Sequence, residues 1–140
     1  MEVGPALHAT ANGRAWLSTL KEDDAQAQVR RKGFILPRNY AGSSVASEQQ
    51  LAEELKQIRE VGYAVSADES VIGITAFAAP IPDREDGPAL GSVSVAGPSV
   101  RMPLSRAREI LPDLLAAAKE LGGIWPIPRF RKLACSLVLF

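Results

Sequence analysis

At Gly62 the hydrophobic period of this chain changes, and no other feature constrains its fold as strongly. Before that glycine, Ser47 and Gln50 stand at capping-box spacing and Leu51, Leu55 and Ile58 recur at i, i+4 and i+7, which describes a capped amphipathic helix packing through one stripe. After it the sequence reads as strands: Tyr63 to Val65, then Val71 to Ala79, rich in branched and aromatic residues, and Leu90 to Ala96 beyond a turn through Asp83, Asp86, Gly87 and Pro88. The last two strands form an antiparallel hairpin. Ser92, Ser94 and Ala96 alternate there with Val93 and Val95, so one face is small and polar, with room for a ligand, and the other is core.

Helix signals frame this sheet on both sides. A first helix starts at Thr10, whose hydroxyl can accept from the N–H groups of Asn12 and Gly13, and runs to about Leu20. A second runs from about Glu22 to Lys32. Its acids Glu22, Asp23 and Asp24 lie at the positive end of the helix dipole, Arg30, Arg31 and Lys32 lie at the negative end, and Gly33 stops it. Phe34 to Ala46 has no period and reads as a loop of the length that covers sites. A last helix spans about Ser105 to Leu121, with Ile110, Leu114, Ala117, Ala118 and Leu121 on one face; Pro112 kinks or restarts it, and Gly122 and Gly123 end it.

Composition narrows the function. The 140 residues carry 16 Lys+Arg and 16 Asp+Glu, so no global positive field exists to hold nucleic acid or anionic lipid. One cysteine, Cys135, cannot form an internal disulfide, and with the single His8 it cannot close a structural zinc site unless several carboxylates join it; a reducing, cytoplasmic setting is expected, with no metal and no cofactor. No segment approaches the ~20 apolar residues of a membrane helix, and no secretory signal opens the chain.

Four groups of residues could carry chemistry. Ser18 and Lys21 have the Ser-x-x-Lys spacing of some acyl-enzymes, but Lys21 is followed by three acids at a helix junction, and surface residues at a helix end explain the pair better. Cys135 with His8 could be a nucleophile and base, yet the cysteine sits in an apolar run that would raise its pKa, as for a buried inert thiol. The acids at Glu22 to Asp24, Asp68 to Glu69 and Asp83 to Asp86 fall where caps and solvated turns use them. The Thr10-Ala11-Asn12-Gly13 turn says more, because a helix start with side chains this small lets an anion approach unpaired N–H groups. Taken alone, capping and tight packing account for it as well.

Three blocks carry a family resemblance when read together: His8-Ala9-Thr10-Ala11-Asn12-Gly13-Arg14-Ala15; Gly62-Tyr63-Ala64-Val65 leading through Glu69 and Gly73 to Ala78-Ala79-Pro80; and Ser92-Val93-Ser94-Val95-Ala96-Gly97-Pro98. In order and spacing, across roughly His8 to Gly123, they resemble the C-terminal effector-binding domain of IclR-type bacterial transcriptional regulators. The resemblance implies an α+β fold similar to GAF and profilin-like sensors, an antiparallel sheet flanked by helices and here incomplete on its N-terminal side. It implies no catalysis. It implies a small organic acid or aromatic effector, a homo-oligomer, and DNA contact only through an N-terminal winged helix-turn-helix that this chain lacks.

Carried over residue by residue, the effector site comprises Ala11 and Asn12 at the helix start, Ser66 after the first strand, Ile74 and Ala76 on the next, and Ser94 and Ala96 on the small face. The Ala11 and Asn12 N–H groups would take a carboxylate, the Ser66 and Ser94 hydroxyls would orient it, and Ile74, Ala76 and Ala96 would set the size of the pocket. Residues 1–123 are thus expected to form a partial effector-binding domain. Residues 124–140 resemble nothing in the family and are expected to be an altered reading frame or a strand over the exposed sheet edge. Uncovered strands would make the domain marginally stable and prone to associate. The alternative is a dimerisation or partner-binding module without a working pocket.

Overall fold

The computed structural model describes residues 6–31, 33–34 and 45–124, together with the backbone of Cys135–Leu139. Its elements follow the order α1 (Ala11–Leu17), α2 (Glu22–Arg30), α3 (Glu48–Val61), β1 (Ala64–Ala67), β2 (Ile74–Ile81), β3 (Gly91–Pro98), a 3-10 turn (Leu104–Arg106), α4 (Ala107–Ile124) and β4 (Cys135–Leu139). The strands form one sheet in the order β1-β2-β3-β4, antiparallel except for the β3–β4 pair. The expected antiparallel α+β framework is therefore present. Within the tail, Cys135–Leu139 forms a strand parallel to Gly91–Val95. The expected Phe34 to Ala46 loop lies mostly outside the described residues, as does the side chain of Cys135.

Helix ends follow the caps read from the sequence. Thr10 Oγ1 accepts from Gly13 N at 3.0 Å, and Ser47 Oγ from Gln50 N at 3.2 Å. Gln50 Oε1 closes back on Ala46 N instead of the Ser47 N that a capping box would use. Gly62 ends α3 at φ +86°, a left-handed conformation that a Cβ would disfavour. α1 stops at Leu17, short of the expected Leu20, and Arg59 of α3 caps that end by donating to Ser18 O (2.7 Å) and Leu20 O (3.2 Å).

Two boundaries differ from expectation for identifiable reasons. β2 begins at Ile74 and not Val71, because Asp68 (φ +56°) and Gly73 (φ +82°) bend the chain and Asp68 Oδ1 accepts from Gly73 N at 2.6 Å. α4 begins at Ala107, runs through an exposed Pro112, and continues past Gly122 to Ile124. Gly122 is a packing residue and not a stop: a Cβ there would lie 2.5 Å from Pro82 O, so only glycine lets the helix approach that turn.

The sheet carries a different core on each face. α4 lays Leu114 and Ala118 on Phe77, Ala79, Ile81 and Val93, with Val65, Val95, Ile110, Leu111 and Leu121 around them. On the other face Ala64 and Ala78 meet Ala11, Ala15 and Leu17 of α1 and Leu51, Leu55 and Ile58 of α3. This second face is made of small side chains, and it positions the site.

Candidate functional site

Register places the expected site residues on one face. Ser66 pairs with Ala76 and Ala76 with Ala96, making one row across β1, β2 and β3; Ala64, Ala78 and Ser94 make the next, and Ile74 faces Pro98 at the end of the sheet. Side chains alternate along a strand, so Ser66, Ile74, Ala76, Ser94 and Ala96 all project toward the α1 side. Ser66 and Ser94 are buried, and Ile74, Ala76 and Ala96 are half-buried.

The start of α1 sits directly on this face. Asn12 Nδ2 donates to Ser94 Oγ at 2.9 Å, and Asn12 Oδ1 accepts from Ser92 Oγ at 3.0 Å. The carboxamide thus bridges two serines 80 and 82 positions ahead in sequence. Both faces of β3 are therefore covered, where the sequence leaves the serine face open. Ala11 is buried beside Asn12, whereas Gly13 has no space for a ligand: a Cβ there would lie 2.3 Å from Leu7 O, because the chain itself crosses that spot. At this turn the Gly13 N–H is held by Thr10.

A buried charge lies one turn along α1. Arg14 has a fully buried side chain; its Nη1 is 3.0 Å from Glu69 Oε2 and 3.8 Å from Glu54 Oε1, and its Nη2 donates to Val65 O at 2.8 Å. Next to Glu69, Ser70 Oγ donates to Ala9 O at 2.9 Å and lies 3.4 Å from Ser66 Oγ. His8 is buried edge-to-face on Phe34 at 5.2 Å, and its Nε2 has no hydrogen-bond partner among the described residues. Burial, with the nearby Arg14 cation adding to it, holds the His8 imidazole below its ordinary pKa, so it is kept neutral.

Of the other candidates, Ser18 lies at the end of α1 but is buried and not at the surface as expected, spending its hydroxyl on Ala15 O at 2.7 Å, while Lys21 is exposed ahead of α2. Asp68 and Glu69 are more than solvated turn residues, since one closes the turn and the other pairs with Arg14. Sequence reasoning gave no role to Ser92, Arg14, Glu69 or Ser70. Ser92 had a usable signal, because it shares the period-2 face with Ser94. The others meet only in three dimensions.

Comparison with known proteins identifies the family. The family described as "Bacterial transcriptional regulator IclR C-terminal" matches residues 4–122, and the chain belongs to that family of regulators, which are not enzymes. It is 31% identical over 115 residues to the transcriptional repressor IclR of Escherichia coli K12, and 33% identical over 117 residues to the regulator BhcR of Paracoccus denitrificans. These alignments cover 82% and 84% of this chain but 40% of each relative, so the chain spans well under half the length of the curated relatives it matches.

Among solved structures it is similar to the C-terminal domain of the E. coli regulator KdgR (TM-score 0.70, 26% identity, 84% of this chain and 69% of that one). It is also similar to the inducer-binding domain of a double mutant of PobR from Acinetobacter in complex with 3-hydroxybenzoic acid (TM-score 0.70, 25% identity, 83% of this chain and 65% of that one).

Proposed function

We propose that this domain senses a small organic or aromatic acid in the cytoplasm and passes its occupancy, within a homo-oligomeric regulator, to a winged helix-turn-helix outside this chain. The observation that carries the reading is the Asn12 bridge to Ser92 and Ser94, which sets a helix start, with its partial positive charge, against a serine-lined strand. The acid's carboxylate takes the Ala11 and Asn12 N–H groups. Ser94, already accepting from Asn12, has its own proton to donate to the acid, and Ser66 supplies a second hydroxyl. Ile74, Ala76 and Ala96 bound the apolar end. That a double mutant of PobR's inducer-binding domain holds 3-hydroxybenzoic acid supports an acid of this size.

Occupancy can switch a regulator only if one arrangement of the protein binds the acid better than the other. Calorimetric titration with pyruvate, glyoxylate and 3-hydroxybenzoate tests the binding step. Saturable heat from at least one, weakened in Asn12→Asp by like charge at the helix start, is expected. A folded sample that binds none of them would favour a partner-binding module without a working pocket.

A further inference from the structure

We infer that Arg14 and Glu69 are a positioning pair: their buried ion pair straps the β1–β2 turn onto the start of α1 and so fixes the distance between Ser66 and Asn12. The inference rests on the effector reading above and gives it a structural control element.

The turn from Asp68 to Gly73 is held from two sides. On its outer side Asp68 Oδ1 accepts from Gly73 N (2.6 Å) and from Ser99 Oγ (3.1 Å), and Ser99 N donates to Gly73 O at 2.7 Å, so the turn is stitched to the chain that follows β3. On its inner side two bonds hold α1 and the chain leading into it: Glu69 pairs with Arg14 of the helix, and Ser70 Oγ donates to Ala9 O just before it. Ser66 stands at the root of this turn and Asn12 lies between Ala9 and Arg14, so both straps span the gap that a bound acid would bridge.

A guanidinium this deeply buried is costly unless its pairing is kept, and neither of its acids is equally buried: Glu69 and Glu54 keep 22% and 29% of their side-chain exposure. The pair therefore stabilises one arrangement of the turn more than it stabilises the fold as a whole. Arg14 also reaches Val65 O on β1, the strand that carries Ser66, so a shift of the turn is felt by that strand through one side chain.

Glu69→Gln keeps the size and a hydrogen-bond acceptor but removes the charge. Amide hydrogen exchange of the chain without effector should speed up about tenfold across residues 66–73, with α4 unchanged. Affinity for whichever probe acid the wild type binds should fall about tenfold. Glu69→Asp should recover part of both losses, and Ser70→Ala should reproduce the exchange effect through the other strap. Arg30→Gln, which breaks an exposed pair with Glu48, should change neither.

Wild-type protection of residues 66–73 in Glu69→Gln would overturn the inference whether or not any acid binds. Faster exchange with unchanged affinity would overturn its link to the effector. A wild type that binds no probe acid counts against the effector reading alone, and the exchange result still decides the strap.

Discussion

The two faces of the sheet reach similar burial by opposite means. Under α4, Phe77, Ile81, Val93 and Leu114 fill space with apolar volume. Under α1, the strands offer Ala64, Ser66, Ala78, Ser92 and Ser94, and beside the apolar residues of α1 and α3 stand a helix start held by Asn12 and a buried Arg14. The first face is a core that any residues of suitable volume could build, because dispersion and water exclusion are non-directional. The second depends on particular donors and acceptors meeting, which stabilises less per residue but leaves polar atoms where a small acid can use them.

Substitutions should separate the faces, and the largest effect belongs to the apolar one. Phe77→Ala should cost about 3–5 kcal/mol in urea unfolding, through lost burial and a residual cavity, while leaving effector affinity nearly unchanged if the protein stays folded. Gly122→Ala forces α4 off Pro82 O and should cost about 1–3 kcal/mol by the same assay. Asn12→Ala removes both serine bonds, at about 1–2 kcal/mol, and should reduce acid binding far more than Phe77→Ala does; equal losses of affinity in the two variants would erase the contrast between the faces.

The smallest effect is a pH dependence confined to the polar face. The folded state holds His8 neutral, with a pKa below that of the unfolded chain, so its contribution is complete above the unfolded pKa of about 6.5 and is lost as pH falls through the window below it. The Tm of the wild type should drop by a few degrees between pH 7.5 and 5.5. His8→Gln, which has no titrating group there, should drop by less, and parallel curves for the two proteins would remove His8 from the account.

The contrast also explains what the sequence discloses. Leu51, Leu55 and Ile58, and Leu114 and Ala118, announce themselves by period because each packs into an apolar cluster and answers to no single partner. Thr10, Ser47 and Gly62 are legible because a cap bonds within three or four residues. Asn12 in its small-residue helix start and Ser94 on its alternating strand are visible separately, but only the family resemblance joins them in one site, and only β-sheet register shows Ser66, Ala76 and Ala96 abreast. The Arg14–Glu69 pair spans 55 positions on two elements whose relative placement no local pattern encodes. Gly122 misleads for the same reason: a glycine reads locally as a stop, and its use here depends on Pro82 lying across from it.

The central claim is that the α1 start and the serine face together take the carboxylate of a small acid. Two-dimensional 15N NMR during titration with pyruvate or 3-hydroxybenzoate tests it residue by residue. The backbone amides of Ala11 and Asn12 and the side-chain amide of Asn12 should shift most and saturate together, with Phe77 and Val93 nearly still. Saturable shifts centred on α4, or no shift at Asn12 while calorimetry records binding, would contradict it.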